Sequence, residues 1–490
     1  MSARSLYVRS GGYLLGKSAP VSEAAGLRVP PHLRTAGLAG CWLCAAVPVV
    51  ALIWAARRYG LDFPWAEDWA FCEIVLVPMF EDRLTWRELC TPLHGYAKLS
   101  TWALRAPLAA LTRWNHGCEV AVNVLLGLGI LAAFLETLRQ STRIARRAFP
   151  HVLVPLFAVI LLGLDKSVIW FWGDGMTYTL AVCASTAGMA SLAVLEPSWR
   201  RIAFAAGMGA ISVFAFASGL LYLVTAALVL CASMGPPRRR RALAIWGGWS
   251  LILAVLYVAI TREEAAAAAE TPAMAERLWV TLRFLPVYLG AGLTKFHLPA
   301  AQWLGIAGLC LGGLVLWRTF GARTVPAAAA MPFVSFMLFA LLAGAGACLV
   351  RYRPIETLYT FEHDGFLRGA IERYPFFSQF YWASLVGLLW LHLPARDNTF
   401  ERHWARATLE RSVVFGFAAL LLLLSLASSR TGYYEAQERY EFYGGHARRV
   451  VEEDLEALPD RLQWPYGNER REALATMRAH NLSIFRDAPE

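Results

Sequence analysis

Between Arg411 and Arg430 the sequence reads Val413-Val414-Phe415-Gly416-Phe417-Ala418-Ala419, then Leu420 to Leu424, then Ser425-Leu426-Ala427-Ser428-Ser429. No Asp, Glu, Lys or Arg interrupts it. A hydrocarbon core of about 30 Å is crossed by about 20 apolar residues in a helix. This run therefore points to a membrane span. Ten more runs of similar character begin near Ala36, Glu119, His151, Thr177, Ile202, Gly219, Ala242, Ala301, Pro326 and Phe377. The expected fold is an all-α polytopic membrane protein with about eleven transmembrane helices. The runs at Ile202 and Gly219 meet at Ala217-Ser218-Gly219, which reads as two short helices with a tight outer turn, or as one long tilted helix. Glu276 to Lys295 contains Arg277 and Arg283 and reads as an interfacial or re-entrant helix.

Composition agrees. Of 490 residues 57% are hydrophobic and only 17% charged, with mean hydropathy +0.44. Soluble domains carry about 25% charge, so a soluble multidomain chain is excluded, as is a disordered one. The net charge of +10 raises nucleic acid as a partner, but its distribution removes it. The short linkers at Arg139 to Arg147, Arg200-Arg201, Arg238 to Arg241, Arg318 to Arg323 and Arg396 to Arg411 are basic and fall on one side with the N-terminal arm. The positive-inside rule makes that side cytoplasmic. It carries 21 Lys+Arg against 6 Asp+Glu, and the outer side 25 against 30. The basic balance thus faces anionic membrane lipid, and the outer face is mildly acidic.

Three parts follow: a cytoplasmic arm (1–35) without a cleavable signal, a transmembrane body (36–429) whose outer loop 58–118 carries an acidic motif, and an outer tail (430–490). The tail is helically patterned at Val450–Leu458 and Glu469–Met477 and is expected to pack on the outer loops. Six cysteines lie in or beside spans, where Cys acts as a small apolar residue. Cys72, Cys90 and Cys118 lie in the first outer loop, whose oxidising surroundings admit one disulfide among them.

Chemistry concentrates outside. After the first span comes Trp65-Ala66-Glu67-Asp68-Trp69, adjacent acids between tryptophans. This suits either an interfacial aromatic belt or a carboxylate at a cavity mouth, acting as general base or metal ligand. His94-Gly95-Tyr96-Ala97-Lys98 follows; in a helix, His94 and Lys98 would share a face. Leu99 to Thr112 suits the membrane interface. The second outer loop, Asp165 to Asp174, combines Lys166, Trp170, Trp172 and Asp174, a mixture that suits a sugar ring or a membrane surface. Between two later spans lie Arg351, Arg353, Arg368, Arg373 and Tyr374. Arginine forks grip phosphate oxygens, and these sit on the side that should be poor in positive charge. His116, Glu119 and Asn123 are the closest approach to a polar opening at a span end. Proton-relay acids within spans and phosphate-binding loops are missing.

With these motifs the chain resembles the GT-C superfamily of membrane glycosyltransferases. The resemblance rests on Trp65 to Trp69, Leu84 to Leu89 leading to His94–Lys98, Trp172-Gly173, Arg373-Tyr374 to Ser378 with Phe380-Tyr381-Trp382, and Asn481 to Phe485. In the family the His motif continues with Glu, His and Arg; here Tyr96, Ala97 and Lys98 stand there. The resemblance implies transfer of a sugar from a polyprenyl-phosphate donor to a glycan or glycolipid acceptor, inverting, on the outer face of a bacterial inner membrane. Asp68 or Glu67 would be the base. Arg373, Arg351 or Arg353, with Lys98 or Lys166, would stabilise the leaving phosphate, and Trp65, Trp69 and Trp172 would line the sugar site. A divalent cation at Glu67-Asp68 is permitted. A polymerase or ligase of lipid-linked glycans, or a flippase or transporter of a lipid-linked molecule, is the alternative.

Overall fold

A computed structural model describes residues 31–64, 67–267, 274–295, 297–350, 374–393, 404–451 and 469–486. Among them every regular element is helical, and the one β contact is an isolated bridge between Leu93 and Tyr96. Helix α1 (Pro31–Tyr59) leads to an extra-membrane loop with α2 (Asp68–Phe71), a π-helical turn (Cys72–Leu76), α3 (Val77–Phe80), α4 (Trp86–Leu89) and α5 (Leu99–Thr112). Then come α6 (His116–Ile144), α7 (Val154–Leu162), α8 (Ser167–Trp170), α9 (Met176–Leu192), α10 (Trp199–Ala215), α11 (Gly219–Ser233) and α12 (Pro236–Ala267). The remainder holds α13 (Met274–Ala291), α14 (Leu298–Phe320), α15 (Ala327–Val350), α16 (Pro375–His392), α17 (Trp404–Val451) and α18 (Glu469–Ala479).

All eleven apolar runs are helical. Seven stretches are long and apolar enough to cross a membrane: Thr35–Tyr59, His116–Ile144, His151–Trp170, Pro236–Arg262, Pro299–Phe320, Ala327–Leu349 and Thr408–Gly445. That makes the chain a multi-pass membrane protein. Helices α9, α10, α11 and α16 have 15 to 18 residues, about 22–27 Å at 1.5 Å per residue, the short end of what crosses a bilayer core. Between α10 and α11 the helix breaks. Phe216 is extended, and a Cβ on Gly219 would collide with the backbone of Ser212 and Val213. Only glycine permits that turn, so the single long helix is excluded.

Helix α13 packs Gly290 against Ala301 and Pro286 against Gly305 of α14, and its Tyr288 hydroxyl donates to Ala340 O of α15 (2.9 Å). Leu278, Trp279 and Leu282 remain exposed. Large apolar side chains such as Leu43, Leu125, Trp303 and Trp317 are likewise exposed on the spans, as lipid-facing positions should be.

Two main apolar cores result. The larger unites the helix bundle around Phe134, Phe157, Tyr222, Phe333 and Trp382. A second lies in the first loop, where Phe63, Trp69, Phe71, Trp102 and Trp114 pack with Leu474, Met477 and Phe485 of the tail. The tail is fastened there by Ser483 N–H to Arg113 O (3.0 Å) and by Arg486 to Asp62 (2.7 Å). All nine cysteines are free thiols, so the expected disulfide among Cys72, Cys90 and Cys118 is absent; Cys72 is buried in the loop core.

Candidate functional site

The loop core positions a buried charge cluster. Helix α2 brings Asp68, α5 brings Arg105, and the first turn of α6 brings His116 and Glu119. That turn is set by Asn115, whose side chain caps Gly117 N–H at 2.9 Å. The segment before α9 contributes Gly173 and Asp174. It is held by Asn123, whose amide donates to Trp172 O (2.8 Å) and accepts from the Thr179 hydroxyl (2.8 Å).

Arg105 is the hub. Its Nε donates to Glu119 Oε1 (2.8 Å), and its Nη2 to Asp68 Oδ1 (2.7 Å) and Glu119 Oε2 (3.1 Å). Nη1 lies 3.6 Å from Asp174 Oδ1. Phe71 stacks on the guanidinium at 4.2 Å. Lys98 Nζ donates to both oxygens of Asp174 at 2.8 Å, and His116 Nδ1 lies 3.0 Å from Glu119 Oε2. Asp68 and Arg105 are fully buried, and Lys98, Glu119, His116 and Asp174 nearly so. A Cβ on Gly173 would overlap Glu119 Oε2 and come within 2.6–2.8 Å of Arg105 and Asp68. The Trp-Gly pair read from sequence is thus the lid of this cluster.

Three carboxylates, Asp68, Glu119 and Asp174, meet two permanent cations, Arg105 and Lys98. His116, 3.0 Å from Glu119 Oε2, supplies a third positive charge when it is protonated, so one proton brings the cluster to neutrality. Burial pushes the Asp68 carboxyl up to about 6, against the pull of Arg105. Burial also works against the Arg105 charge, but Glu119 and Asp68 outweigh it and raise its pKa.

The sequence-derived residues divide. Asp68, Lys98 and Asp174 come together. Glu67 is buried just before α2. Asp68 does not stand at a cavity mouth; it is covered. Trp69 and Trp172 are buried in the loop core and bundle core respectively, so neither lines an open surface. His94 and Lys98 do not share a helix. Leu93 and Tyr96 exchange hydrogen bonds (2.9 and 3.1 Å) around His94-Gly95, both with positive φ, and this two-residue turn leaves His94 exposed while Lys98 turns inward. Lys166 belongs elsewhere. It donates to Ile160 O (2.7 Å) and to Gln379, which in turn donates to Asp165. Lys295 joins this second network through Asp165 O (2.9 Å) and Glu435. Tyr374 is buried at the start of α16. Trp65, Arg351, Arg353, Arg368 and Arg373 lie outside the described residues.

The acids also group differently from the expected Glu67-Asp68 metal pair. Asp68, His116 and Glu119 present ligand atoms within 4.8 Å of one another. Arg105 already donates to both carboxylates, so a divalent ion would have to displace a hydrogen-bonded guanidinium of like charge. The triad does not fit a metal with Arg105 in place.

Arg105 itself was not legible as a site residue. Its signal is that it is the one charged residue within Leu99–Thr112, and a charge on an apolar helix needs a buried acid. No protein-family model, curated protein or solved structure matches this chain.

Proposed function

We propose that the chain is a membrane glycosyltransferase that moves a sugar from a polyprenyl-phosphate donor to a glycan or glycolipid acceptor, with inversion. The carrying observation is Asp68, a carboxyl raised to about 6 within a buried charge cluster in the loop after the first membrane helix. Such a group is ionised at neutral pH yet basic enough to accept a proton. The acceptor hydroxyl gives its proton to Asp68 while its oxygen bonds to the anomeric carbon. The bond from that carbon to phosphate breaks, and the electron pair leaves with the lipid phosphate. Arg105 is a positioning residue that holds Asp68 and Glu119, and Arg351, Arg353, Arg368 and Arg373 are the arginines assigned to the phosphate. Because Asp68 is covered, productive binding requires the Trp172–Asp174 segment to lift.

The proposed setting is a bacterial inner membrane crossed eleven times, with the N-terminus cytoplasmic and the tail periplasmic. The basic linkers support this orientation. The test is Asp68→Asn, assayed in proteoliposomes with a polyprenyl-phosphate sugar and followed by its thermal midpoint. Transfer should fall by about 10²–10⁴ with the midpoint nearly kept, because an amide still accepts from Arg105. Full transfer by this variant sinks the assignment.

A further inference from the structure

Three of the membrane-crossing stretches end around one cleft. Tyr59 closes the first, Trp170 precedes Phe171 at the end of another, and Tyr443 lies two residues before Gly445, where the span on α17 ends. The cleft is small and is lined by Tyr59, Leu61, Ser167, Phe171, Arg439 and Tyr443, with Ala436 on its wall. The ends of spans mark the level of lipid headgroups, and aromatic side chains collect there. Here they are ordered. Tyr59 and Tyr433 share a hydrogen bond of 2.7 Å, Trp54 stacks on Tyr433, and Tyr440 meets Tyr59 edge-on.

Arg439 is built in, not trailing in solvent. Its Nε donates to Glu435 O (3.1 Å) and its Nη2 to Ser167 Oγ. Among the described residues Nη1 donates to nothing. A second cation, Arg58, lies 5.7 Å over both Tyr59 and Tyr440 and makes no ion pair among the described residues. Of the nearby acids on α17, Glu435 pairs with Lys295, Glu441 accepts from Gln437 (2.9 Å), and Glu438 is exposed to solvent. The cleft therefore holds a fixed guanidinium with one nitrogen to spare, at headgroup level, inside an aromatic collar. A guanidinium in that state matches phosphate oxygens.

We propose that this cleft binds the phosphate of an anionic lipid headgroup, with Arg439 as its principal donor and Arg58 as a second positive charge. The site is separate from the Asp68 cluster and stands whether or not the transfer reaction does. Its floor, Ser167 to Phe171, runs directly into the Trp172–Asp174 segment.

The test uses the full chain in phosphatidylcholine nanodiscs, titrated with short-chain phosphatidic acid and read by native mass spectrometry and thermal midpoint. Saturable binding with a raised midpoint is expected. Arg439→Ala should weaken it by about ten-fold or more and Arg58→Ala by about three-fold, in line with losing charge-assisted hydrogen bonds or a charge alone. Because Arg439 also anchors Ser167, Ala436→Phe provides a variant that plugs the cleft with both arginines intact, and it should abolish binding. Unchanged affinity in Arg439→Ala or in Ala436→Phe overturns the site. Inorganic phosphate that competes at the same concentration as phosphatidic acid overturns the lipid assignment and makes the ligand free phosphate.

Discussion

The chain buries two polar networks, and they are built on different principles. Around Arg105, acids outnumber permanent cations, and most of the residues come from one continuous stretch between Asp68 and Glu119. Around Gln379, two acids (Asp165, Glu435) face two lysines (Lys166, Lys295), and the members come from segments up to 270 residues apart. The second is neutral as it stands and ties the turn before α8 and the connection after α13 to α16 and α17. The first closes its charge count only by holding a proton. A balanced buried network serves the fold; an unbalanced one keeps a group able to change protonation state.

The largest expected effect tests the hub. Arg105→Ala leaves Asp68 and Glu119 buried without their counter-charge and should cost about 3–5 kcal/mol, seen as a collapse of the thermal midpoint in detergent. Adding Glu119→Gln should recover part of it. A single variant with wild-type stability would break the comparison.

The next effect concerns pH. The folded state holds the Asp68 proton up to about 6, above the ordinary value of 3.8. Below about pH 4 the group is protonated whether folded or not. Between about 4 and about 6 the unfolded chain loses its proton first, so stability falls as pH rises, by up to about 3 kcal/mol. Transfer should move the opposite way, falling as pH drops below about 6. Asp68→Asn should flatten the stability slope, and a slope that survives in that variant places the proton elsewhere.

A comparable cost, about 1–3 kcal/mol, is expected from Gln379→Ala, which strips Lys166 and Asp165 of a partner. It should leave the pH slope untouched, and altered slope there would erase the distinction between the networks. Gly173→Ala should cost about 1–3 kcal/mol by overpacking and, unlike Gln379→Ala, should disturb the pH slope. The smallest effect is Arg139→Ala at an exposed pair with Glu136, worth less than about 0.5 kcal/mol by the same thermal assay.

The membrane body was legible because apolar run length is a one-dimensional signal: Val413 to Ser429 needs no partner to be read. The break at Phe216 to Ser218 was legible only as one of two readings, since the apolar run continues almost unbroken across it. The site was half legible. Asp68, Lys98 and Asp174 stood out as charges among aromatics, but their pairing could not be read, since it depends on α5 turning Arg105 inward and on the His94-Gly95 turn reversing Lys98. The Gln379 network was invisible because its members meet only when four distant segments pack. The expected cavity at Asp68 failed for a related reason: the loop core formed with the tail buries the acid pair.

Helix α17 runs 48 residues, about 72 Å, and carries two ion pairs far apart along it. Arg318 reaches Glu410 near one end (3.9 Å), and Lys295 holds Glu435 farther along. These pairs are about 38 Å apart along the axis, against a hydrocarbon core of about 30 Å. The two ion pairs therefore bracket the hydrocarbon layer from opposite faces, and Arg439, one turn beyond Glu435, lies outside it.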